Sequence, residues 1–276
     1  MDYKSIEFRD GDAVITGINH FDLAQTLDCG QAFRWAQLCD DEFTGIAHGR
    51  RLNLQISGDT LILKNVTAAE FDLTWKSYFD LERAYSHLRK MFDIDANMEK
   101  ALAFSPGLRL MRQDAWEILI SFILSQNSNI PRIKKMITLL CENFGEALPC
   151  GGYTFPTPGT LARLTESDLE PIRPGYRAPY IIDAARRVAS GQLDLIALMT
   201  QPTCDVRNAL LAVHGVGPKV AECVLLFGFG RVECFPLDVW MKRVMADMYP
   251  DGLPSGLLEY AGIAQQFLFH YVRMSK

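Results

Sequence analysis

A chain of 276 residues that is 49% hydrophobic and carries a net charge of −5 has the material for about two domains with apolar cores. Its longest apolar runs, such as Ile118 to Ile120, fall far short of the roughly 20 residues of a membrane span, and the charged start MDYKSIEFRD has no apolar signal core; the chain reads as a soluble protein. The acidic balance disfavours a non-specific nucleic-acid coat, yet it leaves local basic groups at Arg132, Lys134 and Lys135 and at Arg173, Arg177, Arg186 and Arg187.

From Ala13 to about Val66 the apolar pattern has mostly period two, broken by turn residues. It predicts strands over 13–18, 33–38, 43–47, 52–56 and 61–63, with turns at 39–42, 48–50 and 57–59. Residues 21–27 read as a short helix before GQAFRW. From Ala68 to Met98 the period becomes helical, so an antiparallel sheet domain with flanking helices is expected over 1–100 and a helical architecture over 101–276. The fold class is α+β.

In the second part, Asp114 has the side chain of an N-cap for AWEILISFILSQ, whose apolar residues surround the helix and imply burial. The polar run SQNSN ends it. Another helix starts near Ile130, with Pro131 in its first turn, and reaches Asn143. After a Gly/Pro-rich loop at 148–158, shorter helices are expected at 160–164, 166–172, 178–189 and 204–213, and a last helical stretch at 255–274.

The stretch with most chemical content runs from Val213 to Asp238, VHGVGPKVAECVLLFGFGRVECFPLD. A Gly-Val-Gly hairpin at 215–217 precedes Pro218, which suits a first helical position, and the hairpin N–H groups beside a helix N-terminus form a phosphate seat. Lys219 follows in the first turn. The helix dipole repels its charge there, so the position is poor for stability, but it suits a nucleophile that must be the neutral amine. Asp238 has the side chain of an N-cap for VWMKRVMADMY. A helix of about 17 Å followed by an extended return of up to about 25 Å lets the two helix starts lie side by side. Taken singly, the residues read equally well as a phosphate-touching lysine and an ordinary cap.

Helix, Gly-Val-Gly hairpin, helix with Lys219 and then Asp238 resembles the helix-hairpin-helix DNA glycosylases, with the motif at about 204–230. LDCGQAFRW (27–35), SFILSQNSNIPRI (121–133), GYRAPYI (175–181) and YAGIAQQFLF (260–269) narrow the resemblance to the 8-oxoguanine DNA glycosylase branch, in the family's order along nearly the whole chain. The resemblance implies a sheet domain followed by helical domains, with a DNA cleft between them. It implies that Lys219 attacks the sugar C1′ of the damaged nucleotide and that a lyase step then nicks the strand. Asp238 would steady the positive charge on the sugar, and Gly215 and Gly217 would hold a backbone phosphate.

The resemblance also assigns a base pocket. The Gly30 carbonyl would accept from N7–H of 8-oxoguanine, Cys223 and Phe269 would hold the base between them, and Gln265 would bond its Watson–Crick edge. A carbonyl facing N7 rejects guanine, whose N7 is a lone pair, by about 1–3 kcal/mol. Asn127, Arg132 and Arg177 would read the orphaned cytosine opposite the lesion, and Tyr176 would wedge into the vacated step. This chain departs from better-known members at Ser128, where they carry a second asparagine, at Trp240, where they carry a histidine, and at His214, in place of a proline.

The implied partner is double-stranded DNA containing 8-oxoguanine, bound by a monomer, with no membrane contact, no cofactor and no metal. Seven cysteines with no CxxC pair point to free thiols in a reducing, intracellular compartment, and the resemblance implies the cytoplasm or nucleoid of a bacterium or the nucleus of a eukaryote. Two readings compete: an alkylated-base glycosylase of the same superfamily that works without a lysine nucleophile, and a helix-hairpin-helix module that only docks on DNA. Lys219 opposes the first; Gly30, Asp238 and Gln265 go unexplained by the second.

Overall fold

A computed structural model describes residues 1–275. Its N-terminal part is a six-stranded antiparallel sheet of β1 (Ser5–Arg9), β2 (Asp12–Thr16), β3 (Trp35–Cys39), β4 (Glu42–Ala47), β5 (Arg50–Ser57) and β6 (Thr60–Leu63). The spatial order is β1-β2-β6-β5-β4-β3. Strand β1 lies outside the expected strands. It pairs only with β2 at the edge of the sheet and none of its residues is fully buried; its sequence SIEFR does alternate, but over only five residues inside a charged N-terminal stretch. Its signal lies in the turn instead: Asp10 and Gly11, at φ 54° and 84°, form the two-residue hairpin link that Asp-Gly favours.

The chain forms two compact units. One comprises residues 1–45, 52–112 and the C-terminal part from Val232; the other comprises 46–51 and 113–231. Strand β4 alternates half-buried and buried residues, as a sheet with one face on a core requires. Trp35 of β3 faces Gly45 of β4 in register, and a Cβ at Gly45 would overlap its indole. The indole Nε1 donates to the Tyr78 hydroxyl at 2.9 Å, in an aromatic cluster with Trp75 and Phe79.

Beside this cluster sits a charged residue that apolar patterning cannot reveal. Arg109 is fully buried. Its guanidinium donates to the carbonyls of His20 (2.8 Å), Asn19 (2.9 Å) and Asp80 (3.1 Å), pairs with Asp2 at 3.3 Å and lies 4.5 Å from the Tyr85 ring centroid. Burial alone would raise the Asp2 pKa. Hydrogen bonds from Ser86 and the Arg109 charge outweigh it and hold the carboxyl below its ordinary value. Arg109→Met leaves the buried Asp2 carboxylate without its counter-charge and the carbonyls of His20, Asn19 and Asp80 without this donor. The expected loss is about 3–5 kcal/mol of stability, read as a lower urea midpoint, and the double variant with Asp2→Asn recovers part of it.

The Ala96–Phe104 and Val239–Met248 helices both pack on the C-terminal Ala261–Met274 helix. There His270 Nδ1 lies 2.7 Å from Ser105 Oγ. Burial, reinforced by the Arg273 charge and opposed by Asp22, lowers the His270 pKa, so the folded chain holds the ring neutral while the unfolded chain protonates it near 6.5. Below that value the unfolded state binds the extra proton. Stability is therefore expected to fall as pH drops through 6.5, by at most about 1.4 kcal/mol per unit from this group. His48, also lowered chiefly by burial, adds a slope of the same sign. Urea unfolding at pH 8 and pH 5.5 measures the difference, and His270→Gln removes the His270 share.

Candidate active site

The second unit is organised on the Ala115–Ser125 helix, in which nine of the eleven residues are buried, capped by Asp114 through the Glu117 N–H at 2.8 Å. The Pro218–Phe227 helix packs against it, and Phe122 stacks on Phe227 at 5.4 Å between centroids. Lys219, half-buried in the first turn, has its Nζ 4.8 Å from the Phe122 ring centroid. No carboxylate of the same unit lies within ion-pair distance of it. Cys223 is buried one turn further along, so Lys219 and Cys223 stand one above the other on a single helix face.

The hairpin ahead of that helix is held from the Ala178–Ala189 helix. The His214 N–H donates to Asp183 Oδ2 at 2.9 Å, and the His214 ring meets Tyr180 edge-on at 4.6 Å. Gly215 has φ 79°, and a Cβ there would fall inside the Tyr180 ring, so conformation and close approach both require glycine. A Cβ at Gly217 would meet nothing within 4 Å. The N–H groups of Gly215 and Gly217 make no hydrogen bond among the described residues. Two unpaired donors next to a helix start and a lysine are suited to an anion.

Asn127, Tyr176 and Arg177 come together just past the C-terminal end of the Ala115–Ser125 helix. Asn127 takes a left-handed φ of 46°. Arg177 is buried: it donates to the carbonyl of Gln126 through Nε (2.8 Å) and Nη2, to Pro174 (2.8 Å) and to Asn127 (3.2 Å), and its guanidinium lies 4.6 Å from the Tyr176 centroid. These bonds hold the turn at 126–127 and engage the guanidinium donors. Tyr176 is 52% exposed. Arg132 is an exposed residue of the Ile130–Phe144 helix, outside this cluster of bonds, and Asn129 caps that helix through the Arg132 N–H at 3.0 Å. The Ser128 hydroxyl is buried and has no hydrogen-bond partner among the described residues.

Asp238, Gly30, Gln265 and Phe269 belong to the first unit. Asp238 caps the Val239–Met248 helix by accepting the Met241 N–H at 2.8 Å through one carboxylate oxygen. Trp240, at the position where better-known members carry a histidine, lies against Arg243 at 5.3 Å. Gln265 and Phe269 are four residues apart on the Ala261–Met274 helix and so share a face, Gln265 buried and Phe269 half-buried beneath Arg273 at 6.0 Å. Gly30 has φ 89°, in a loop fixed by a residue that sequence reasoning passes over. The side chain of Gln31, fully buried, donates to the carbonyls of Thr26 (2.8 Å) and Arg109 (2.7 Å) and accepts from the Met111 N–H (2.9 Å).

A glycine hairpin with unpaired donors, a lysine in the first turn of the helix after it and an antiparallel sheet ahead of them are the features of the helix-hairpin-helix class. Comparison agrees: residues 13–119 match the N-terminal domain of 8-oxoguanine DNA glycosylase, and residues 120–252 match the HhH-GPD superfamily of base excision DNA repair proteins. The chain belongs to the 8-oxoguanine DNA glycosylase family. Similar solved structures include MBOgg1 in complex with a low-affinity DNA ligand (39% identity, TM-score 0.94, all of both chains covered). Another is the Clostridium acetobutylicum 8-oxoguanine glycosylase/lyase in complex with double-stranded DNA carrying cytosine opposite 8-oxoguanine (35% identity, TM-score 0.93, 100% of this chain and 99% of that one). The N-glycosylase/DNA lyase of Saccharomyces cerevisiae is 34% identical over 253 residues, which cover 80% of this chain and 66% of the yeast protein. No helix among the described residues is long and apolar enough to cross a membrane.

Proposed function

We propose that this chain is a bifunctional DNA glycosylase and lyase that removes 8-oxoguanine from duplex DNA, acting as a monomer. The observation that carries the reading is Lys219 itself: an amine with no carboxylate partner in its unit, one residue past Pro218 and next to hairpin donors that are free for a phosphate. The amine attacks C1′ as the C1′–N9 bond breaks, and that electron pair leaves on the base. Loss of a proton from nitrogen and opening of the sugar give a Schiff base between Lys219 and C1′. Removal of a C2′ proton then breaks the C3′–O bond and expels the 3′ phosphate. Asp238 lowers the energy of the cationic sugar as the base departs.

The base leaves the stack for this chemistry. For the everted base, the Gly30 carbonyl is assigned to N7–H, Gln265 to the Watson–Crick edge, and Cys223 and Phe269 each to a face. Gly215 and Gly217 bind a phosphate of the damaged strand. On the partner strand, Asn127, Arg132 and Arg177 read the orphaned cytosine, with Tyr176 in the gap. Arg177 contributes after releasing the Gln126 and Asn127 carbonyls.

Single-turnover incubation with an 8-oxoguanine duplex tests the function and its opposite-base preference together. Excision faster opposite cytosine than opposite adenine is expected, because a guanidinium donates to cytosine O2 and N3 in a fork that adenine does not mirror. An intact duplex would refute the activity, whereas equal rates opposite both bases would remove only the cytosine-reading assignment.

A further inference from the structure

Gln265 does not stand alone. The neighbouring Gln266, equally buried, donates from its Nε2 to Gln265 Oε1 at 2.7 Å. Gln266 Oε1 in turn lies 3.8 Å from the Cys29 thiol, which also reaches the Thr26 carbonyl at 3.5 Å. Cys29 accepts at 3.3 Å from Gln31, the side chain that fixes the loop carrying Gly30. All these side chains lie in one unit and are nearly or fully excluded from water. Burial pushes the Cys29 thiol up to about 11, so it keeps its S–H donor at neutral pH.

We propose that Gln266 is a positioning residue for base recognition. By occupying Gln265 Oε1 it fixes which end of that carboxamide is presented, and through Cys29 and Gln31 it ties Gln265 to the Gly30 loop. An amide whose oxygen is engaged offers its Nε2 donor, and Nε2 of Gln265 makes no hydrogen bond among the described residues. The ligand class that fits is a purine with a carbonyl at C6; a 6-amino purine presents a donor to a donor. Neither periodicity nor charge could find this pair, because Gln266 reads as one more polar residue on a helix.

The inference rests on the proposed base-binding role of Gln265. Gln266→Met keeps similar volume and removes the donor, so the Gln265 amide is no longer held in one orientation. Single-turnover excision of 8-oxoguanine is expected to fall about tenfold, and the preference for 8-oxoguanine over 8-oxoadenine to narrow. Strand cleavage at a preformed abasic site, which contains no base to recognise, is expected to stay within about twofold of the parent. A merely structural role lowers excision and abasic-site cleavage together, and that result overturns the proposal. So does an excision-to-cleavage ratio within about twofold of the parent. If Gln266→Met does not fold, Gln266→Leu is read by the same ratio. A parent chain that leaves 8-oxoguanine untouched refutes the function instead, an outcome separate from unaltered variants of an active parent.

Discussion

Lys219→Gln is expected to abolish strand nicking and covalent trapping, and to reduce base excision by at least about a thousandfold, while duplex binding stays within a few-fold of the parent. The separation follows from the local structure. The hairpin is held by Asp183 and Tyr180 from the Ala178–Ala189 helix, and neither touches the lysine side chain, so the phosphate donors survive the change. The substitution chiefly removes the attraction between the charged Nζ and the Phe122 ring, worth about 0.5–1 kcal/mol at a partly exposed site. A glutamine of similar length can lie on the same ring, so the melting temperature should move little. Borohydride reduction during turnover gives the decisive measurement: a stable enzyme–DNA adduct from the parent and none from Lys219→Gln. Lys219→Arg separates charge from nucleophilicity, since it keeps the cation and supplies no neutral amine. An adduct that persists in Lys219→Gln would place the attacking nitrogen elsewhere.

The parts of the fold legible in sequence are those with strong local signals. The period-two pattern after Ala13 corresponds to β2 to β6 within a residue or two at most ends, and AWEILISFILS, apolar on every side, is the buried centre of its unit. The caps expected at Asp114 and Asp238 both accept an N–H three residues on, at 2.8 Å. Strand β1 escapes because its alternation, SIEFR, spans only five residues with two apolar positions in a charged stretch, too short to stand out. The short Leu195–Leu198 helix escapes for lack of length, though Asp194 caps it through the N–H groups of Ile196 and Ala197.

What the sequence could not convey is where polar side chains end up once the chain is packed. Arg109 and Gln31 lie fully inside, satisfied by carbonyls of distant segments, and such partners exist only after folding. Arg177 shows the same limit from the opposite side. By composition it belongs to a basic surface group, yet it is buried and bonded to the turn at 126–127. Motif spacing points to residues tied to a local backbone shape, such as Gly215 in its left-handed turn and Lys219 in a first helical turn. It is blind to those whose role is to hold another side chain still.

Asp238 supplies the sharpest test of motif against chemistry, because its bland role and its proposed catalytic role use different properties of one carboxylate. The cap needs an oxygen acceptor for the Met241 N–H, and asparagine caps a helix about as well as aspartate. Stabilisation of a cationic sugar needs the negative charge, which asparagine lacks. Asp238→Asn is therefore expected to change stability by less than about 1 kcal/mol, including the loss of the charge–dipole contribution, and to slow single-turnover excision by about 10²–10³-fold. Asp238→Ala loses both functions and adds about 1 kcal/mol of destabilisation from the missing cap. Thermal melts and excision rates on the same two variants decide between the roles. Full activity in Asp238→Asn would leave this residue as a helix cap alone, with the sugar cation stabilised by some other group.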